Sequence, residues 1–254
     1  MSRSIDDRAT ARGFPWALTL VTILCLAILL ALGTWQVQRL AWKEALIATI
    51  DSRVSAAPVP LAEVEKTAGA GGDIEYQPVA AAGAFLHDKE QFFFATHDGQ
   101  SGWYVYTPLR LADGRFVFVN RGFVPFDRKS PATREQGEVA GQVNLVGLAR
   151  TAPAAKPSSL VPDNQPAENV FYWKDIAAMT ANAGLDRASV LPFFIDAAKS
   201  DVPGGYPVGG VTIIDLPNNH LQYAVTWYGL AAALAGVYVA MLLRRRKPIS
   251  AART

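Results

Sequence analysis

The stretch FPWALTLVTILCLAILLALGTW, residues 14–35, decides the fold class of this chain. It carries no charge, and no charged side chain occurs between Arg12 and Arg39. A second uncharged stretch, LQYAVTWYGLAAALAGVYVAMLL, covers residues 221–243. Each exceeds the roughly 20 apolar residues that cross a hydrocarbon core of about 30 Å. The sequence therefore predicts two transmembrane helices, one near each end of its 254 residues.

Charge is distributed unevenly between the ends and the middle of the chain. Residues 1–38 and 221–254 together carry eight of the 24 Lys and Arg residues but only two of the 22 Asp and Glu residues. The segment between them holds the other sixteen basic and twenty acidic residues. The positive-inside rule favours both termini in the cytoplasm and the middle on the other side. An acidic middle also argues against a nucleic-acid-binding domain, which needs a basic face.

These patterns predict five segments. They are a cytoplasmic N-terminus (1–12), a first transmembrane helix (13–35), an extracytoplasmic domain (36–219), a second transmembrane helix (220–243) and a cytoplasmic basic tail (244–254). The alternative for the first span is a cleaved signal peptide, since Ala31-Leu32-Gly33 is a tolerable cleavage site. The apolar run exceeds the roughly 7–15 residues of a signal peptide core, which favours the transmembrane helix.

Strand signals fill the central domain after the first helix, which is expected to continue to about Val54. A helical turn is predicted near residues 61–66 and a short helix over 175–183, with a tight turn at Asp113-Gly114. Aromatic and β-branched residues predict seven strands, over 75–81, 91–96, 103–111, 115–124, 142–150, 190–196 and 211–216. Without βαβ alternation, the expected domain is α+β and mostly antiparallel, a sheet or a partly closed barrel.

The residues that carry most metal and catalytic chemistry are scarce. The one cysteine, Cys25, lies in the first span, and the central domain has one methionine, Met179. Copper delivery and a cysteine zinc site are therefore not expected. No phosphate-binding glycine loop or nucleophile elbow occurs, so we predict no enzyme. His87 and His97 stand near turns and are predicted to be solvated, and Arg121 is predicted to form a structural ion pair.

The second apolar stretch has two distinct helical faces. Gly229 and Gly236 lie on a face of small residues, which lets membrane helices approach closely. Ala27 and Ala31 offer a matching stripe on the first span. We therefore expect these stripes to pack together and the face carrying His220 to point away from the first helix.

Five motifs resemble the Surfeit-locus family of cytochrome c oxidase assembly proteins. They are Gly33-Thr-Trp35-Gln36-Val-Gln-Arg39-Leu-Ala-Trp42-Lys43, Gly102-Trp-Tyr, Val119-Asn120-Arg121-Gly122-Phe-Val-Pro125, Pro192-Phe-Phe-Ile-Asp196 and Asn218-Asn219-His220-Leu-Gln-Tyr223-Ala-Val-Thr-Trp227-Tyr-Gly229. They occur in the family's order and cover nearly the whole chain. The resemblance implies a bacterial inner-membrane protein with a periplasmic domain that aids insertion of haem a into oxidase subunit I. Subunit I is the implied partner, with haem A synthase as a further candidate, besides the lipid bilayer and no nucleic acid.

The resemblance also makes His220 the favoured axial ligand of haem iron. Tyr223 and Trp227 share its helical face and are candidates for a porphyrin wall, while Arg39 and Lys43 are the nearest candidates for propionate partners. The ordinary alternatives are an interfacial aromatic belt and long cations that reach the headgroups. A cofactor-free scaffold that holds an oxidase assembly intermediate therefore stays open as the alternative function.

Overall fold

The computed structural model describes residues 15–212, 214 and 216–246. They fall into two compact units: a helix pair, within Met1–Ala48 and Leu216–Thr254, and a central domain, Thr49–Asp215. The predicted cytoplasmic N-terminus and residues 247–254 of the predicted tail lie outside the described residues. The limits predicted for the membrane spans stay predictions.

Two long helices enclose the central domain in the sequence. Helix α1 covers Trp16–Val54 and helix α4 covers His220–Arg246. Both are long and apolar enough to cross a membrane, which indicates membrane association. The prediction that the first helix continues to about Val54 is confirmed.

The central domain contains a closed barrel. In the described chain its strands are β1 (Val59–Pro60), β2 (Pro78–Phe85), β3 (Gln91–His97), β4 (Gln100–Arg110), β5 (Phe116–Pro125), β6 (Gln142–Thr151), β7 (Val170–Phe171) and β8 (Val190–Ala197). Their order is β1-β2-β6-β8-β5-β4-β3-β7, and pairing of Phe85 with Leu109 joins β2 back to β4. Five strands, β2, β6, β8, β5 and β4, thus form the barrel, with β5 and β8 parallel and its other pairs antiparallel.

The predicted fold class is confirmed: two apolar helices flank one mostly antiparallel β domain. Six of the predicted strands are present within a few residues. The strand predicted over 211–216 is wrong, because none of its described residues, which exclude 213 and 215, is in a strand. Its apolar residues serve packing instead: Val211 is buried against Ala95 and Phe123. The predicted turn is confirmed, with Gly114 at φ +86°.

Two short helices cover the barrel. Helix α2, Leu61–Gly69, confirms the predicted helical turn and buries Val64. Helix α3, Ile176–Asn182, confirms the predicted short helix, and its N-cap Asp175 accepts a hydrogen bond from the N–H of Ala178.

Alternation along the strands separates two cores. One core draws buried side chains from all five barrel strands and from α2, among them Val79, Leu109, Val119, Ala149 and Ile195. The other covers the opposite face of β4, β5 and β8 under α3, and includes Tyr106, Phe118, Phe194 and Met179. Each buried aromatic or aliphatic side chain contributes about 1.5–3 kcal/mol, so these two layers fix the domain.

Candidate functional site

The two long helices meet along a heptad seam. On α1 the least exposed positions alternate in steps of three and four: Thr19, Thr22, Leu26, Leu29, Gly33, Gln36, Leu40 and Lys43. On α4 the same spacing gives His220, Ala224, Trp227, Ala231, Leu234, Tyr238 and Met241. A period of 3.5 residues keeps one line of side chains on the partner helix, as in a coiled coil.

Side-chain hydrogen bonds between described residues join the two helices. Thr19 bonds Tyr238 through their hydroxyl groups, and the hydroxyl groups of Thr34 and Tyr228 lie 3.1 Å apart. Another joins Nδ1 of His220 to Oε1 of Gln36 at 2.7 Å. The early residues of α1 thus meet the late residues of α4, so the helices are antiparallel.

The expected packing faces were wrong. A Cβ added at Gly229 or Gly236 would meet no atom within 4 Å, whereas one at Gly33 would lie 2.9 Å from the ring of Tyr228. Ala27 and Ala31 are also exposed. A helical wheel divides a helix into faces, but it does not show which face meets the partner. Here the polar side chains are on the seam, because polar groups that face lipid cost more than exposed small residues.

The contact with Gln36 favours a proton on Nδ1 of His220. With Oε1 of Gln36 facing this nitrogen, Nδ1 donates because an amide oxygen only accepts, and in the neutral ring Nε2 is then an unprotonated acceptor. Among the described residues, none is a hydrogen-bond partner of Nε2. His220 is only partly buried, so this nitrogen is available to a ligand.

The other predicted site residues lie close to His220 in sequence or next to its partner. Tyr223 is 54 % exposed, and Trp227 is partly buried on the seam two turns along α4. Arg39 and Lys43 follow Gln36 by one and two turns, about 4.5 and 10.5 Å along the helix axis.

The two cations have different surroundings. The guanidinium carbon of Arg39 lies 3.8 Å from the ring centroid of Trp42, and both side chains are exposed. Lys43 is partly buried, but it lies beyond the level of His220, the first residue of α4. Of the predicted site residues, only Trp227 therefore shares the seam with His220, and Tyr223 and Arg39 are exposed.

This donor set fits a haem. Haem needs an axial nitrogen, apolar contact surface and cations for its propionates. The helix pair offers all three: Nε2 of His220 as the nitrogen, the rings of Tyr223 and Trp227 as apolar surface, and the charged groups of Arg39 and Lys43 as cations. The structure does not test the assignment of these residues to a haem, which stays a prediction.

The central domain holds a second cluster of titratable groups. His87, Glu90 and Glu138 could together supply three metal ligands, because their nitrogen and oxygen atoms lie within 4.8 Å of one another. Two buried arginines already neutralise the carboxylates: Arg134 binds Glu90 and Glu138, and Arg121 lies 3.3 Å from Glu90. A cation would have to displace these guanidinium groups, so the cluster is a structural ion-pair network.

This network confirms the predicted ion pair of Arg121 and corrects the prediction for two histidines. His87 is partly buried, with Nδ1 3.0 Å from Glu138 and Nε2 3.0 Å from the carbonyl oxygen of Val139. His97 is partly buried as well, and its ring packs on Phe123. Both histidines stand near turns in the sequence, but their rings contact residues of strand β5, Arg121 and Phe123, which the sequence did not indicate.

Sequence similarity places the chain among known proteins. The SURF1 family model matches residues 23–232, which cover most of α1, the whole central domain and the first half of α4. The chain belongs to the SURF1 family. It is 42 % identical to Surfeit locus protein 1 of Rattus norvegicus over 231 residues, which cover 84 % of this chain and 72 % of that protein.

Two further relatives extend the SURF1 match. Surfeit locus protein 1 of Homo sapiens is 40 % identical over 247 residues, 90 % of this chain and 77 % of that protein. The SURF1-like protein of Monosiga brevicollis is 38 % identical over 247 residues, 92 % of this chain and 88 % of that protein. These relatives are eukaryotic, so a bacterial origin stays a prediction.

Gln36 is the residue that the sequence reasoning missed. Gln36 lies inside a family motif, but its neutral amide neither ligates iron nor carries charge, so it was not among the predicted site residues. An available signal was its amide, which stands three residues beyond Gly33 within an apolar helix. Uncharged polar side chains at such positions usually bond to a neighbouring helix.

Proposed function

We propose that this protein is an assembly factor for haem–copper cytochrome c oxidase. In this role it binds haem a on its helix pair and aids its insertion into oxidase subunit I, without itself catalysing a reaction. Family membership supports the assembly role. The geometry of His220 supports the haem-binding step.

The observation that carries the proposal is the availability of Nε2 on His220. A bound haem would supply an iron atom, which His220 would hold through this nitrogen. His220 presents such a nitrogen beside the seam, and its ring is neither enclosed nor fully exposed. A partly open site suits a carrier, because the cofactor must leave towards a partner.

The neighbouring residues would supply the apolar contact surface and the positive charge that a haem also needs. The exposed ring of Tyr223 and the exposed part of Trp227 provide apolar contact surface. Arg39 and Lys43 supply positive charge one and two turns beyond Gln36, where propionates would be bound. The exposed side of such a site faces a partner helix, which we assign to oxidase subunit I or to haem A synthase.

The proposed location is the inner membrane of a bacterium, with both termini cytoplasmic and the central domain periplasmic. Basic residues that flank both apolar stretches support this orientation. Reporter fusions after Lys247 should read cytoplasmic, and a fusion near Asp163 should read periplasmic. An external reporter after Lys247 would contradict the orientation.

A cofactor-free scaffold is the second candidate function. The hydrogen bond between His220 and Gln36 supports it, because the same bond joins the helices whether or not a ligand is present. In that case His220 is a helix-packing residue and the protein holds oxidase subunits together.

The visible spectrum of the His220→Ala variant, purified from cells that make haem a, separates these functions. A haem carrier should show a Soret band in wild type that is lost or shifted in the variant at matched protein level. His97→Ala is the matched control, since His97 is a partly buried histidine of the central domain. Trp227→Ala should lower the band less, because the iron bond is retained. Identical spectra for wild type and His220→Ala would favour the scaffold.

A further inference from the structure

We infer that Gln36 is a positioning residue that presents His220 to the haem. It would hold the imidazole as the Nδ1–H tautomer, with Nε2 directed away from α1. This inference rests on the proposed function, and it adds the residue on which the ligand geometry depends.

The contact selects one tautomer. Nδ1 of His220 lies 2.7 Å from Oε1 of Gln36, an atom that has no proton to donate. A free neutral histidine prefers its proton on Nε2, where it would block ligation. Moving the proton to Nδ1 needs an acceptor at that nitrogen, and metal-binding histidines usually have one in just this position.

The seam makes the acceptor rigid. Gln36 is only 8 % exposed, and Gly33, one turn earlier on α1, is in close contact with the ring of Tyr228. The amide is therefore enclosed by the helix pair, and its hydrogen bond restrains both the proton and the angle of the ring. A long side chain on an exposed face would lose this control through its own rotamer freedom.

An amide is also suited to reversible binding. A carboxylate at this position would make the imidazole a more basic and stronger ligand, and it would place a charge inside the apolar helix pair. The neutral oxygen of Gln36 orients the ring without either effect. A moderate iron bond fits a protein that gives its cofactor to another.

Gln36 could instead serve only to join the helices. The chain offers a matched control for that reading, since Thr34 and Tyr228 form another hydrogen bond across the same seam. Thr34→Val removes an interhelical bond of the same kind without touching His220. If Gln36 is a positioning residue, only its own substitution should change the imidazole.

The first experiment reads the tautomer in the full-length protein without haem. Three histidines in the whole chain make ¹⁵N-histidine labelling in detergent micelles tractable, with His220→Ala giving the assignment. Wild type, Thr34→Val and Gln36→Glu should show His220 with a protonated Nδ1, whereas Gln36→Leu should shift it towards protonated Nε2. A protonated Nε2 in wild type, or no change in Gln36→Leu, would overturn the inference.

The second experiment titrates the same proteins with haem a. Loss of an outer-shell partner lowers metal affinity about 10–100-fold, so Gln36→Leu should weaken binding by about tenfold or more while Thr34→Val does not. If wild type binds haem through His220 and Gln36→Leu binds equally well, the inference fails and the proposed function stands. If wild type binds no haem, the proposed function fails and the positioning role fails with it.

Discussion

The helix pair and the barrel domain bury opposite kinds of side chain. On the helix pair the exposed residues are large and apolar, with Trp16 69 %, Leu20 65 % and Val237 70 % exposed. Its buried positions are polar or small, such as Gln36 and Ala231. In the barrel domain most large apolar residues are buried, and buried charges such as Glu90 and Arg134 are paired with each other.

The difference follows from the solvent that each unit faces. In water, apolar burial drives folding, so the barrel hides its aromatic and aliphatic side chains. In a bilayer, lipid is as apolar as leucine, so helices associate through close packing and hydrogen bonds. The inverted surface of the helix pair therefore supports its assignment to the membrane, and it predicts that different substitutions damage each unit.

The largest effect is expected in the barrel domain at Glu90. Its buried carboxylate binds Arg134 and lies 3.3 Å from Arg121. Glu90→Gln would leave two buried guanidinium groups short of negative charge, which should cost about 3–5 kcal/mol of unfolding free energy. Urea unfolding of the full chain in detergent, followed by near-ultraviolet circular dichroism, measures the loss.

An exposed ion pair provides the control for Glu90→Gln. Nζ of Lys156 lies 2.6 Å from Asp163, whose side chain is exposed. Asp163→Asn should change the unfolding free energy by less than about 1 kcal/mol. Equal losses of unfolding free energy in the two variants would show that burial does not determine how much these ion pairs stabilise the domain.

The next effect is expected on the seam of the helix pair. Gly33→Leu should force Tyr228 away and cost about 1–3 kcal/mol, because the contact already leaves no room for a Cβ atom. Gly236→Leu should have little effect, since its position meets no neighbouring atom. Thermal unfolding in detergent measures the stability of both variants. A larger loss of stability for Gly236→Leu would support the packing face that the helical wheel predicted.

These contrasts show which features were predictable from sequence. Long apolar stretches and strand alternation are local signals, so α1, α4 and most barrel strands were predicted within a few residues. Strands β1 and β7 pair two residues each, too few for a period to appear. Closure of the barrel depends on Phe85 meeting Leu109, a contact between distant residues that alternation along each strand cannot reveal.

The candidate site was predictable only in part. His220, Arg39 and Lys43 have chemistry that singles them out, and the family resemblance implied the role that is proposed for His220. The partner face of α4 was predicted wrongly, because the prediction rested on its small residues and not on the polar side chains that are costly to expose to lipid. Gln36 was missed because its importance comes from the residue opposite it across the seam.

The barrel domain should show a pH effect that depends on His87. Burial alone would lower the pKa of His87, but the carboxylate of Glu90, the Val139 carbonyl and the charge of Glu138 raise it overall. The stability that protonated His87 contributes to the folded domain is therefore complete below the ordinary histidine pKa near 6.5. It declines as the pH rises through the raised pKa of His87. Urea unfolding between pH 6 and 9 should show this decline, and His87→Gln should remove it. An equal decline in His87→Gln would assign the effect to another group.

The smallest effect is expected for Tyr228→Phe. This variant loses the hydrogen bond to Thr34 but keeps the ring that packs on Gly33. Hydrogen bonds between membrane helices are worth about 0.6 kcal/mol on average, so thermal unfolding in detergent should shift only slightly. A cost as large as that of Gly33→Leu would mean that hydrogen bonds, rather than close packing, hold the helices together. A small cost would agree with the inference that the bond between Gln36 and His220 serves to orient the imidazole and not mainly to hold the helices together.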